Sequence, residues 1–505
     1  MLASGEPVSV GVTILFSLLL VGLIACLALE EKLHAKKSVI AGTFAIICLL
    51  LGTVCGILPF EEVVVGSHLP GEESGEAVEV NSENKDSEAG ESAVAPEGEA
   101  TEEPTDEDSV VHVGGHEISM PVYIPAIDWG VIAIILGSSL FVDITSKSGL
   151  FTWIAIKVTK ATGGDPLWLL TAYGLMTVVF SAVLNNVTAM IIVGSLTAVS
   201  LEKLNRTGLL LGFLLIEGLL TNIGGLLTLI SSVPNIIVGT EAGISFVKFF
   251  QTAAPYVVLA TIVTIWMGAW MFGIKRLKVA EDKKEAAKLV ASFDENDGIE
   301  SQSFFWFGAL MLVLFIITIA TTSYLPYISK LEMGFVALAF AGLMLLKYKS
   351  TADQFYKALD WDLLGFFMAL FVVINVMEHA HVLDAIGVAL EKVIGLGDLW
   401  GTGSILVASA AFSSVTDNIP LAAMLAKILG SLGTPQDSPL WWSVVFGANL
   451  GGNITPIGSA STLVAVTIIH KHKLPMSFGG FVKVALPFAI VQIVIATAYV
   501  LVFLR

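Results

Sequence analysis

The 505-residue chain is 55% hydrophobic and 14% charged, where a soluble chain carries about a quarter charged residues. That balance excludes an ordinary soluble domain and a nucleic-acid binder, and marks a multi-pass membrane protein. The net charge of −18 is concentrated in one acidic segment and is not a property of the whole chain.

The first apolar run, VGVTILFSLLLVGLIACLAL from Val10, has no basic stretch before it and no small-residue cleavage site after it. It is expected to be a retained helix. SVIAGTFAIICLLLGTVCGIL, from Ser38, makes a second span, so residues 1–59 are expected to form two transmembrane helices, the pair that the family resemblance given below implies as scaffold. Cys26, Cys48 and Cys55 fall in these two runs and read as buried apolar residues. Residues 60–120 are dense in Glu and Asp, poor in aromatics, and have Lys85 as a lone basic residue between Glu61 and Val110. Such a segment cannot bury a core and is expected to be a disordered extracytoplasmic loop. Lys32, Lys36, Lys37, Lys203, Arg206, Lys275 to Lys288, Lys347, Lys349, Lys357, Lys471 and Lys473 can all share one side if the chain crosses ten times and makes two re-entrant excursions. That side is then the cytoplasm, with both termini outside.

From Asp128 onward the chain repeats itself. DWGV at Asp128 returns as DWDL at Asp360, and FSAVLNNVT from Phe180 returns as FSSVTDNIP from Phe412, both at an offset of 232 residues. Trp168 of GDPLW and Trp400 of GDLW keep the same offset. TNIGGLLTLISSVPNIIVGT, from Thr221, aligns without gaps to the stretch from Ala448 at an offset of 227, and FVK, at Phe246 and Phe481, is read as closing each unit. Five spans per copy turn the second copy upside down. The fold expected is therefore an all-α polytopic membrane protein of two inverted repeats, each with five transmembrane helices, a re-entrant hairpin and an unwound helix. Its divisions are 121–273 for the rest of the first repeat with a hairpin at about 166–201, 274–302 for a cytoplasmic linker, and 303–505 for the second repeat with a hairpin at about 399–433.

Hydrocarbon tolerates irregular backbone only where protein or a bound ion satisfies it. The polar residues at the hairpin tips and helix interruptions are therefore candidate substrate contacts: Asn185, Asn186, Thr188, Ser232 and Asn235 in the first copy, and Thr416, Asp417, Asn418, Pro420, Ser459, Ser461 and Thr462 in the second. A mid-membrane carboxylate is costly unless paired, protonated or ligated, which makes Asp417 the sharpest residue and Glu217 a second candidate for proton coupling. Asp143 is expected near the inner surface in a solvated role. Glu378 to His381, EHAH, could hold a metal, but sits in a short amphipathic stretch. H-E-x-x-H and G-x-S-x-G are missing from the sequence, which speaks against an enzyme.

FSAVLNNVTAM with TNIGG and PN, and DNIP with GANLGGNITPIGSAS, resemble the paired motifs of the ion transporter superfamily. The resemblance is greatest to the branch holding the melanosomal P protein, NhaD-type sodium/proton antiporters, ArsB arsenite permeases and citrate-transporter-like proteins. It implies a homodimer with a scaffold and an elevator-like transport domain, and a sodium ion at each tip. By position, one sodium would use Asn185, Asn186, Gly224, Thr228 and Ser231, and the other Asp417, Asn418, Gly451, Asn453 and Thr455. P-protein and NhaD relatives generally carry Asp-Asn at the first tip, where this chain has Asn185–Asn186; the divalent-anion symporters carry neutral Ser-Asn-Thr triplets at both. The expected function is sodium-dependent secondary transport. Sodium/proton antiport leads narrowly, because Arg206, Arg276 and Arg505 are the only arginines and none lies in a span. Sodium-coupled carriage of a dicarboxylate or citrate, or arsenite-type efflux, is the alternative.

Overall fold

Inside a bilayer each backbone amide must find its partner within the protein, so apolar runs of this length fold as helices. The computed structural model describes residues 8–58, 62–65, 116–119, 121–349, 352–416 and 418–504; Asp417 lies outside them. Of the acidic stretch expected to be a disordered loop, residues 66–115 lie outside the described residues. Its ends pair as an antiparallel ribbon, β1 (Glu62–Val65) with β2 (His116–Ser119), Glu62 opposite Ser119, in a unit of its own spanning 59–125.

In chain order the helices are α1 (Val10–Ala28), the short α2 (Glu30–Leu33), α3 (Lys37–Val54), α4 (Trp129–Ser146), α5 (Leu150–Ala161), α6 (Pro166–Val183) and α7 (Asn186–Lys203). There follow α8 (Leu210–Gly224), α9 (Val233–Glu241), α10 (Phe246–Met271), α11 (Ala280–Ala291), α12 (Gln302–Thr321), α13 (Ile328–Lys347) and α14 (Ala352–Ala358). The last seven are α15 (Trp361–His379), α16 (Val382–Ile394), α17 (Gly403–Ser413), α18 (Asn418–Ser431), α19 (Pro439–Gly451), α20 (Ala460–Lys471) and α21 (Phe478–Phe503). Among the described residues, ten helices are long and apolar enough to cross a membrane. α6, the first arm of the expected hairpin, is long enough to be one of them, and α19 is not, because the interruption expected within its span ends it at Gly451. α8 is the most buried of the ten, whereas α1, α12 and α21 leave most of their surface outward, where lipid lies.

The duplication is visible in the elements. The series α4 to α10 recurs as α15 to α21, and local chemistry sets equivalent boundaries. Asp128 and Asp360 are N-caps, their carboxylates accepting from the Val131 and Leu363 amides at 3.0 Å each. Ser245 caps α10 and Ser477 caps α21, and Pro255 and Pro487 lie inside these helices, again at an offset of 232. That corrects the FVK pairing, whose offset of 235 is a coincidence of sequence. Packing is reciprocal too: α4 runs along α13, and α15 along α3.

In each copy the polar interruption separates two short helices. α8 ends at Gly224, a 3-10 turn covers Leu229–Ser231, and α9 begins at Val233. α19 ends at Gly451 and α20 begins at Ala460. Gly224 packs against the neighbouring helix so closely that a Cβ there would lie 2.6 Å from the Val178 carbonyl oxygen; at Gly451 the Ala410 carbonyl oxygen crowds in the same way. Beyond each interruption the copies exchange partners: α9 packs on α18 and α19, and α20 on α7 and α8.

Candidate functional site

The tips are where α7 and α18 start. Leu184 is extended (φ −93°, ψ 165°), breaking α6 from α7, and the Asn185 side-chain oxygen Oδ1 accepts from the Thr188 amide at 2.7 Å. Ser181 and Ser413, at equivalent positions, tie each first helix to the adjacent interrupted one, donating to the Thr221 and Ala448 carbonyls at 2.6 Å. Thr228 and Thr455 do the same from the interruptions, donating to the Ala182 and Ser414 carbonyls at 2.6 Å. Ser231 and Asn235 brace the first bend through the Gly225 and Thr228 carbonyls, and Thr462 braces the second through those of Pro456 and Ser459.

Two asparagines then bind the copies together. The Asn222 carbonyl oxygen accepts from Ser459 at 2.8 Å, Ser461 at 3.1 Å and the Asn186 amide at 3.4 Å, while its amide donates to Asn453 at 2.9 Å. Its counterpart Asn449 accepts from Ser232 at 2.8 Å and donates to Asn235 at 2.9 Å. Each bend thus donates a serine hydroxyl to the other copy's asparagine. Gln492 anchors the group from α21, accepting from Asn453 and donating to Thr264.

Beside this network is a cavity of about 470 Å³. Of the residues expected at the site, Asn185, Asn186, Thr188, Ser231, Ser232, Asn418 and Ser459 line it. Asn235, Pro420, Ser461, Thr462, Gly224, Thr228, Gly451, Asn453 and Thr455 are buried and hold the bends and tips in shape instead. Thr416 turns back to the Phe412 carbonyl at 3.0 Å. Glu217 is fully buried away from the cavity, one carboxylate oxygen accepting from Thr197 at 2.6 Å and the other without a hydrogen-bond partner among the described residues. The cavity gathers the first residues of four helices, α7 at Asn186, α9 at Val233, α18 at Asn418 and α20 at Ala460. Helix N-termini carry unsatisfied amides and a positive dipole end.

Asp143, Asp360, Asp362 and Lys37 also reach the wall, none of them expected there. Each carboxylate is already engaged: Asp143 with Lys147 at 3.3 Å, Asp360 as the cap of α15, and Asp362 with the Ser38 amide at 3.2 Å and hydroxyl. Lys37 lies 3.9 Å from Glu30. Asp143 is thus a wall residue and not simply a solvated one. In EHAH, His379 meets the Asn375 carbonyl and His381 meets Asp384, and among the described residues no group of three His, Cys, Asp or Glu side chains could hold a metal.

The family model for citrate transporters matches residues 109–447, more than half the chain. An uncharacterized transporter of Mycobacterium tuberculosis is 28% identical over 380 residues, covering 74% of this chain and 86% of the relative. The human P protein is 24% identical over 470 residues, covering 77% of this chain and 55% of its own. Among solved structures, the YdaH transporter of Alcanivorax borkumensis superposes with a TM-score of 0.53 at 12% identity, over 93% of this chain and 98% of that one. MtrF of Neisseria gonorrhoeae, described as one of a class of antimetabolite efflux pumps, superposes with a TM-score of 0.53 at 11% identity, over 93% and 95%. These two are alike in fold alone. With ten apolar helices, a duplicated polar interruption and a family match over most of its length, the chain belongs to the citrate transporter family and is a multi-pass membrane transporter.

Proposed function

We propose that the chain is a sodium-dependent secondary active transporter that carries a small anion, with the cavity as its substrate site. The observation that carries this is the meeting of four helix N-termini, two from each copy, on one cavity. Each presents about half a positive charge, and the first-turn amides not taken by the Asn185 and Ser459 caps can donate, an arrangement that holds carboxylates and oxyanions. The wall carboxylates pull the other way: Asp143 is paired with Lys147, whereas Asp360 and Asp362 accept from neutral donors and keep their charge, which the four N-termini and Lys37 oppose. Hydroxyl and amide side chains around the tips supply hydrogen bonds, and hard oxygen atoms suit sodium as the coupling ion. We place one sodium at each tip, on the residue sets given by resemblance: Asn185, Asn186, Ser231 and Asn418 also line the cavity, and the buried Gly224, Thr228, Gly451, Asn453 and Thr455 would complete the sets from the bends behind it.

The cavity reaches Lys37 and Asp360, on the side that the basic residues assign to the cytoplasm, which supports access to the site from that side. Two inverted repeats with exchanged α9 and α20 fit an elevator movement in a homodimer, alternating access around this site. The second reading, sodium/proton antiport, is favoured by one observation: the buried carboxylate of Glu217 with its unpartnered oxygen, which together with Asp417 would carry the proton.

Proteoliposomes with imposed gradients separate the two. Uptake of labelled succinate or citrate that requires an inward sodium gradient supports the anion carrier. Sodium-driven proton movement with no anion present, and no anion uptake, would replace it with the antiporter.

A further inference from the structure

Outside the site, α6 and α10 leave a second concavity of about 670 Å³ on the outer surface. Its walls come from one face of each helix, with Leu167, Thr171 and Leu175 on α6 and Ile262, Trp266 and Trp270 on α10. Ile262, Trp266 and Trp270 are 59%, 68% and 79% exposed, values for large apolar side chains that only a lipid or a protein surface would cover. At 1.5 Å per residue the α6 wall runs roughly 12 Å and the helical part of the α10 wall, from Thr261 to Trp270, roughly 14 Å. One leaflet of hydrocarbon is about 15 Å deep. The groove is therefore as long as one leaflet is deep.

One end differs in chemistry. Lys275 and Arg276 line it just past the end of α10. The turn that carries them is built in place: Asp165 caps α6 with one oxygen, accepting from the Leu167 and Trp168 amides, and accepts from the Leu277 amide at 2.9 Å with the other. The Arg276 guanidinium rests over the Trp168 ring at 5.2 Å. From Lys275 to Lys288 the chain has six basic and three acidic residues, so the field at this end is positive. A groove one leaflet deep, apolar along its floor, with indoles along its length and cations at headgroup level, has the shape and polarity of a phospholipid with an anionic headgroup.

We infer that this groove is a binding site for an anionic phospholipid, with an acyl chain between α6 and α10 and the phosphate on Lys275 and Arg276. A second copy of the chain fits worse. A two-fold axis along the membrane normal would bring both sets of Lys275 and Arg276 to the same depth and face like charge with like.

The test is native mass spectrometry of the full-length protein in detergent, with palmitoyl-oleoyl phosphatidylglycerol or phosphatidylcholine added. Phosphatidylglycerol should be retained in preference to phosphatidylcholine. The Lys275→Gln/Arg276→Gln double variant should weaken its retention about thirtyfold, the effect of two cations near a lipid surface. Trp266→Ala, on the apolar wall, should weaken both lipids. Equal retention of the two lipids, or an unchanged double variant, would overturn the site. Displacement of the lipid by inorganic phosphate would reduce it to a phosphate site, and a disulfide between copies of a Trp266→Cys variant in membranes would make it a protomer interface; either result sinks the assignment.

Discussion

Asn222 is the residue whose loss should be felt most. Replacing it with Ala removes one acceptor used by Ser459, Ser461 and the Asn186 amide, and the donor to Asn453. Ser459 and Ser461 are 2.8 Å apart, so one hydroxyl can still donate to the other. The long 3.4 Å bond from Asn186 is weak and its amide faces the cavity, so the groups left unsatisfied in a buried site are one hydroxyl hydrogen and the Asn453 oxygen, at about 1–3 kcal/mol each. Hydrogen bonds between membrane helices average only about 0.6 kcal/mol, which pulls the sum toward its lower end, about 2 kcal/mol. Asn185→Ala removes an exposed cap worth about 1 kcal/mol. The thermal midpoint of detergent-solubilised protein, followed by size-exclusion fluorescence, should therefore fall further for Asn222→Ala than for Asn185→Ala, while Asn185→Ala loses transport with little loss of fold. An Asn222→Ala midpoint equal to or above that of Asn185→Ala would refute the structural role given to this network.

Gly224→Ala and Gly451→Ala should each cost about 1–3 kcal/mol by forcing apart helices in backbone contact; expression of well-behaved protein with unchanged thermal midpoints would contradict the packing described. Asp417→Asn should abolish or uncouple sodium-driven flux in proteoliposomes, and normal flux would remove this residue from the ion site. Outside the membrane, Glu295 lies against Lys160 and 2.7 Å from Lys157, and these ammonium groups hold its carboxyl down at about 2. A carboxylate lowered in the folded state stabilises it above the ordinary carboxylate range and loses that contribution as pH falls toward 2. Hydrogen exchange of the segment around Glu295 should thus be independent of this group from pH 6 to 8. Glu295→Gln should raise exchange there at every pH in that range; an unchanged rate would mean the contact does not hold the linker.

Residues that recur at fixed spacing were the legible part, because a duplicated fold repeats its caps and bends. DWGV and DWDL stand out in sequence as markers, and their physical cause is that Asp128 and Asp360 each begin a helix. The polar interruptions were legible because glycine, serine and asparagine are conspicuous among Leu, Ile and Val. The division of labour among those residues was not. Whether Asn235 faces a ligand or the Gly225 and Thr228 carbonyls depends on how the interruption folds back onto α9, and its oxygen meets Asn449 only through packing on α19, neither of which a sequence pattern encodes. Asp143, Asp362 and Lys37 reach the cavity from elements far apart in the chain, and a charged residue near a helix end reads as a surface residue. Gln492 carried a signal that went unused, a lone amide within a 26-residue apolar helix.

The exchange of Ser232 onto Asn449 and Ser459 onto Asn222 has a mechanical meaning. One bond between two bodies leaves them free to pivot; two bonds at separate points fix their mutual rotation. The two interrupted helices are clasped at two points, and a shear that lengthens one bond must load the other. The two interrupted helices therefore resist sliding past each other, and a load placed on one bend is shared with the other.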